Sequence, residues 1–191
     1  MDRIRLELNY LDLERNKKRW SLYIVLATDN PEKPGEVVIT TLPSGFIKVR
    51  KPAENLVQFE PEGEGTEGLF VLERDMPSDF SVRARLWLMH SRKGQRDFGE
   101  KLSEIGSFLG NSDGSQLIAA LGASNPWVSV GIQGIGAVGT ALSKIKDRQL
   151  GFLNLDEHFN ANGEEDMELE RKNRLSTGFG EVGWSWVVDN D

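Results

Sequence analysis

The chain has 191 residues, 38% of them hydrophobic and 28% charged, a composition typical of a folded globular protein rather than a disordered one. Thirty acidic residues outnumber 23 basic ones, and the net charge of −7 disfavours nucleic-acid binding, which needs Lys and Arg to meet phosphates. The absence of cysteine excludes disulfides, thiolate chemistry, iron–sulfur clusters and Cys-ligated zinc.

The first residues run directly into a strand pattern. Apolar and polar residues alternate over Arg3–Leu11, which places four side chains on one face: Ile4, Leu6, Leu8 and Tyr10. No apolar core of a signal peptide precedes this strand. The default expectation is therefore a cytoplasmic protein.

Turn residues separate short apolar runs up to residue 90. Proline and glycine mark the breaks, since proline fixes φ and glycine accepts positive φ. The run Trp20–Leu26 is apolar enough for a central strand. Further strands are expected at Glu36–Leu42, Phe46–Arg50, Leu56–Phe59, Leu69–Arg74 and Phe80–Met89. Such short segments with this punctuation predict an antiparallel sandwich or barrel.

The hydrophobic period changes after His90 and predicts helices. Apolar residues recur at helical spacing from Phe98 to Leu109, and a short second helix is expected over Ser115–Leu121. A third helical segment is expected over Trp127–Lys146. These segments together predict a helical insertion near residues 94–146.

The last part of the chain returns to strand character. One strand is expected at Gln149–Leu155, and a closing strand at Val182–Val188 alternates cleanly. Between them, Asp156–Glu170 has seven acids and no Lys or Arg. We therefore predict a single domain over residues 1–191, a mainly β chain forming an antiparallel β-sandwich of about eight or nine strands with the helical insertion.

One glycine motif suggests a cofactor. Gly134-Ile135-Gly136-Ala137-Val138-Gly139 has the spacing of a dinucleotide-binding turn, and residues 128–156 resemble the Rossmann fingerprint, with Asp156 where an acid for a ribose hydroxyl is wanted. The remaining 35 of the 191 residues contain no further βα units. A dinucleotide-binding enzyme using Gly134, Gly136 and Gly139 is therefore an alternative, and close packing of the glycines is favoured.

The motif lies in an uncharged stretch, because Gly114–Ser143 contains no Asp, Glu, Lys, Arg or His. A transmembrane helix needs about 20 apolar residues. Trp127–Leu142 offers 16, diluted by glycine. A packed or partner-contacting segment is favoured, and a membrane-active protein that inserts residues 127–142 conditionally is an alternative. The contact residues expected in either case are Trp127, Gly131, Gly134, Gly136 and Gly139.

The acidic stretch contains candidate calcium ligands. Its loop lacks the first Asp and the twelfth Glu of an EF-hand, so only a looser site is conceivable. The candidate ligands are Asp156, Glu157, Glu164, Glu165 and Asp166. The competing and favoured interpretation is a solvated loop whose like charges repel.

No catalytic constellation stands out. Asp156 and His158 would share a strand face, but no serine in a nucleophile-elbow motif accompanies them. Arg83, Arg85 and Trp87 would share one face of another strand, as on many mixed sheet surfaces. We therefore expect a non-enzymatic binding or assembly module without a resident cofactor, whose insertion packs internally or contacts a protein partner or a second copy of the chain.

Overall fold

A computed structural model of the chain describes residues 3–14, 20–30, 37–49, 55–60, 68–91, 128–130, 135–160 and 167–189. Within these ranges, twelve strands and one helix are formed. They are β1 (Arg3–Leu13), β2 (Trp20–Asp29), β3 (Val37–Val49), β4 (Leu56–Gln58), β5 (Leu69–Asp75), β6 (Ser81–Val82), β7 (Ala84–His90), β8 (Val128–Val130), α1 (Ile135–Ser143), β9 (Arg148–Asn154), β10 (Glu157–His158), β11 (Met167–Arg174) and β12 (Gly180–Asp189). All strand pairs are antiparallel. The prediction of a mainly β, antiparallel chain with a helical insertion is confirmed, and two five-stranded sheets are consistent with a β-sandwich.

The first compact unit comprises residues 1–18, 50–82 and 157–191. Its main sheet has the strand order β11-β12-β1-β4, and β5 pairs with the N-terminal part of β1 on the same side as β4. A separate two-stranded sheet joins β6 and β10. The predicted closing strand is confirmed as β12, and its alternating apolar side chains are all buried: Val182, Trp184, Trp186 and Val188.

A β-bulge in β1 reverses the predicted orientation of Tyr10. Leu8 and Tyr10 pair with consecutive residues of β12, the second of them Gly183, so Asn9 is an extra residue. Leu8 before the bulge and Leu11 after it are both buried. The expectation that Tyr10 shares a face with Leu8 is wrong, because one inserted residue reverses the two-residue alternation of a strand.

The second compact unit comprises residues 19–49 and 83–156, and its sheet has the order β8-β3-β2-β7-β9. The apolar run in β2 is central, as predicted, with Leu22–Thr28 buried throughout. Helix α1 packs on one face of this sheet. Its Val138, Ala141 and Leu142 join a core cluster with residues of β2, β3 and β7.

Several predicted elements have other bounds. The runs Glu36–Leu42 and Phe46–Arg50 belong to one strand, β3, whose pairing with β2 shifts register. The predicted strand Phe80–Met89 is interrupted at Arg83, and its halves β6 and β7 pair in different sheets. The third predicted helical segment begins as strand β8, and its helix covers only Ile135–Ser143. The predicted helices at 98–109 and 115–121 lie outside the described residues.

Candidate binding groove

A groove of about 740 Å³ opens on the sheet of the first unit. We refer to it as the Tyr10 groove. Its volume lies within the range of roughly 300–1,000 Å³ that is common for ligand sites. It is lined by Asn9, Tyr10, Gln58, Phe59, Glu60, Glu170, Arg171, Lys172 and Gly183.

Strand register places the groove across four strands. Tyr10 is paired with Gln58 of β4 on one side and with Gly183 of β12 on the other, and Gly183 is paired with Lys172 of β11. Directly paired residues point to the same face of a sheet. The row therefore lies on the face opposite the buried apolar side chains of β1 and β12.

The floor of the groove is formed by an aromatic ring that lies over a glycine. A Cβ atom built on Gly183 would lie 2.2 Å from Cε1 of Tyr10 and 2.6 Å from Cδ1. A glycine within a strand often marks such a close approach, because only glycine leaves this space empty. The ring can therefore cross β12 and contribute its surface to the groove.

The hydroxyl of Tyr10 is fixed by a carboxylate. It donates a hydrogen bond to Oε1 of Glu181 over 2.7 Å. Burial, and then the hydrogen bond and negative charge of Glu181, raise the pKa of Tyr10 to about 12. The phenol thus remains neutral well above neutral pH, and its only proton is committed to Glu181. Tyr10 is suited to present a ring to a ligand rather than to accept or release a proton.

The two walls carry charged side chains. On the β4 side, the backbone N–H of Phe59 donates to the carbonyl oxygen of Asn9 over 3.0 Å and holds that wall against β1. On the β11 side, Arg171 is paired with Trp184 of the buried face, and its guanidinium lies 3.1 Å from Glu157, so this cation is already paired. Lys172 is exposed.

Polar side chains beside the bulge contact one another and the neighbouring backbone. Nδ2 of Asn9 donates to Oγ of Ser185 over 2.9 Å. The neighbouring Glu7 is almost fully buried, lies 2.7 Å from Nε of Arg5 and accepts a hydrogen bond from the N–H of Gly68. These contacts join Asn9 to β12 and Glu7 to Arg5 and Gly68.

Of the predicted contact residues, only Gly136 and Gly139 lie within the described part of the chain. A Cβ on Gly139 would lie 3.3 Å from Nε1 of Trp87, so this glycine packs closely against the sheet within the same unit. Gly136 faces open space, with nothing within 4 Å of an added Cβ. Trp127, Gly131 and Gly134 lie outside the described residues.

The surroundings of the glycine motif differ from a dinucleotide fold. Strands β8 and β9, which precede and follow α1, lie at opposite edges of their sheet, and each pairs antiparallel to its neighbour. A Rossmann unit joins two neighbouring, hydrogen-bonded parallel strands through the helix. Gly136 and Gly139 lie inside α1. Among the helices of the described ranges, none is long and apolar enough to cross a membrane.

The two candidate calcium ligands that lie in the described residues already have other partners. Asp156 accepts a hydrogen bond from the N–H of Ala84 over 3.0 Å, and Glu157 is paired with Arg171. Residues 164–166 lie outside the described residues. In the described ranges no group of three or more acidic or histidine side chains could hold a metal ion together.

Tertiary structure supplies a serine beside His158. Oγ of Ser81 lies 2.8 Å from Nδ1 of His158 across the β6–β10 pair. Acyl transfer also needs free donors for an oxyanion, and the N–H of Ser81 is bound to Oδ1 of Asp79 over 3.1 Å. The pair is exposed and lies outside the Tyr10 groove. Its clearest contribution is to join β6 to β10.

Arg85 and Trp87 share a face of β7, as the sequence indicates, but they do not form an open basic surface. Trp87 is buried beneath α1. The guanidinium of Arg85 lies 5.2 Å from the ring centroid of Phe152, and its Nε donates to Oδ1 of Asn154. Both features tie Arg85 to β9.

The Tyr10 groove is not apparent from the sequence. Its residues come from four separated strands, and simple alternation places Tyr10 on the wrong face. One signal was present: alternation from Ile4 to Leu8 resumes at Leu11 and Leu13, one position out of phase, which indicates a bulge.

Comparison of the sequence with models of known protein families and with curated proteins gives no match. The features that bear on function are therefore the antiparallel β fold and its aromatic-floored groove.

Proposed function

We propose that the protein is a non-enzymatic binding module that receives an extended segment of a partner protein in the Tyr10 groove. The observation that carries this proposal is the Tyr10 ring crossing the bare backbone of Gly183, which creates an aromatic floor between two charged walls. Aromatic surfaces with a few polar groups around them are typical of binding sites.

The groove follows the sheet, and this favours a polypeptide. Its lining contains three consecutive residues of β4 and its exit, Gln58–Glu60, and three of β11, Glu170–Lys172. The two rims lie on either side of β1 and β12, and an extended chain lying between them would have side chains that alternate at a similar spacing. The lining is better suited to binding than to catalysis. The hydroxyl of Tyr10 donates its proton to Glu181, and the guanidinium of Arg171 forms an ion pair with Glu157.

The test fills the groove without disturbing the core. Gln58 is exposed on β4 and paired with Tyr10, so Gln58→Trp would place a large ring in the groove. Peptides are first selected from a random displayed library on the full chain. Their affinity for the wild-type chain and the variant is then measured by fluorescence anisotropy. We expect Gln58→Trp to weaken the selected peptides by at least about tenfold.

The matched control lies two residues away on the same strand. Leu56 is exposed on the same face, is paired with Asp12 and does not line the groove. Leu56→Trp adds a similar ring outside the groove and should leave the affinity unchanged. Equal effects of the two substitutions, or peptides indifferent to both, would contradict the proposal.

A second candidate is self-association through the outer side of α1. Its small, uncharged side chains there are exposed: Gly136, Ala137, Thr140 and Ser143. Light scattering after size exclusion would detect a dimer, and Gly136→Arg should dissociate it, since nothing lies within 4 Å of that position in the free chain. A monomer at every concentration would remove this candidate.

A further inference from the structure

We infer that the segment bound in the Tyr10 groove carries basic side chains, with a Lys or Arg cation placed over the Tyr10 ring between Glu60 and Glu170. This inference rests on the proposed function and adds the chemistry of the partner. It comes from the charges of the walls, the state of the Tyr10 hydroxyl and the sequence adjoining each wall.

The groove presents more free carboxylates than free cations. Glu60 stands on one wall and Glu170 on the other, and both are exposed. Glu181 lies beside the floor, bound to the hydroxyl of Tyr10. Of the two basic residues in the lining, Arg171 is paired with Glu157, so Lys172 is the cation that remains to offset these carboxylates in the described lining.

The aromatic floor favours the same charge. A cation is attracted to the face of a tyrosine ring, and carboxylates beside the ring strengthen the local negative potential. Because the hydroxyl proton of Tyr10 is donated to Glu181, that hydroxyl is not available to bind an anion. An acidic ligand would meet the carboxylates of both walls without a compensating donor from the floor.

The stretches of sequence next to the two walls are also negatively charged. Residues 60–67 contain four Glu and no Lys or Arg, and residues 157–170 contain six acids and no Lys or Arg. A ligand with basic side chains is attracted to such an excess of acidic residues. Attraction of this kind raises the association rate and weakens with added salt.

Lys172 gives the partner an orientation. It is paired with Gly183 across β11 and β12, at the same level as Tyr10, while Glu170 lies two residues away on the same strand. An ammonium at this place suits a backbone carbonyl or an acidic side chain of the bound segment. A segment in which a basic residue is next to a hydrogen-bond acceptor would therefore bind both the carboxylates of the walls and the ammonium of Lys172.

The experiment compares three pooled peptide libraries on the full chain. The peptides have roughly eight residues, an extended length of about 26 Å at 3.3 Å per residue. Alternate positions are Lys or Arg in one pool, Gln or Asn in the second and Glu or Asp in the third. We expect the basic pool to bind at least about tenfold more tightly than either other pool, and this preference to fall as salt is raised.

Substitutions of the wall carboxylates test whether the preference for basic peptides arises in the groove. The double substitution Glu60→Gln with Glu170→Gln should reduce basic-pool affinity roughly tenfold, since it removes both wall charges at unchanged size. Glu168→Gln is the matched control, because Glu168 is exposed on the same strand and face as Glu170 but does not line the groove. It should change the affinity less than about twofold.

Three other results would contradict the basic preference, the use of the groove or the nature of the partner. If all three pools bind equally and Gln58→Trp abolishes them, the groove binds segments but the basic preference is wrong. If no pool responds to Gln58→Trp, both this inference and the proposed function fail. Spermine can be titrated first against the free chain and then against the chain with the basic pool bound. If both titrations saturate at the same spermine concentration, and longer basic peptides bind no more tightly than short ones, the ligand is a small polyamine and the proposed protein partner is wrong.

Discussion

The ring of Tyr10 occupies the space into which a Cβ atom on Gly183 would project, with 2.2 Å between that position and Cε1 of the ring. The bulge at Asn9 creates this relationship, because it turns Tyr10 away from the core and brings it opposite Gly183. Two residues 173 positions apart in a chain of 191 thus define the floor of the groove.

Gly183→Ala tests this contact. The added methyl group cannot coexist with the ring in its present position, so the ring must move or the strands must separate. We expect a loss of about 1–3 kcal/mol in the free energy of unfolding, as for other overpacked sites. Urea denaturation followed by circular dichroism measures it. Tyr10→Ala in the same chain should remove most of the penalty, and an equal penalty in both backgrounds would show that the ring is not its cause.

The pKa of Tyr10 gives a second prediction. It is raised from 10.0 to about 12, so tyrosinate absorbance in a difference titration against Tyr10→Phe should develop close to pH 12. Glu181→Gln should lower the pKa of Tyr10 toward 10.0, because it removes a negative charge and a strong acceptor while burial remains. An unchanged pKa in this variant would contradict the assigned role of Glu181.

The same pKa predicts how stability depends on pH. Because the pKa is higher in the folded chain, the contribution of Tyr10 is fully present below pH 10.0 and is lost as the pH rises toward 12. The wild-type chain should therefore lose stability relative to Tyr10→Phe across this window. Urea denaturation of both chains at several pH values measures the difference, and parallel curves would contradict the assignment.

The two described glycines of α1 should respond differently to alanine. Gly136 has open space around an added Cβ, so Gly136→Ala should stabilise the chain by up to about 1 kcal/mol through helix propensity. At Gly139 the added methyl group would press on the indole of Trp87 at 3.3 Å. Gly139→Ala should be less stable than Gly136→Ala by at least about 0.5 kcal/mol in thermal or urea unfolding. Equal gains would mean that α1 does not pack through Gly139.

A buried hydrogen bond joins the end of the insertion to the central strand. The hydroxyl of Tyr23 donates to Oδ2 of Asp147 over 3.0 Å, and both side chains are buried. Tyr23→Phe should lower the free energy of unfolding by about 1.5–3 kcal/mol, because a hydrogen bond to a carboxylate is lost in the interior. Asp147→Asn keeps an acceptor for Tyr23 and is the milder comparison. A neutral Tyr23→Phe would show that this bond contributes little.

The sequence by itself determined the class of fold and the most buried strands. The alternation of Val182, Trp184, Trp186 and Val188 specifies which face of β12 meets the core, since apolar surface leaves water wherever a strand offers one apolar face. The continuous apolar run of β2 likewise predicts its central place. Both conclusions depend only on neighbours along the chain, which a sequence displays directly.

Only the tertiary structure decided the groove and the role of the glycines in α1. Strand β11 has no apolar alternation to indicate it, because nearly every side chain is charged or polar, and it forms through its ladder with β12. The place of Tyr10 depends on one extra residue in the pairing of β1 with β12, and the place of Gly139 depends on Trp87 in another strand. Pairing between strands far apart in the chain sets which side chains meet, and no local pattern contains that information.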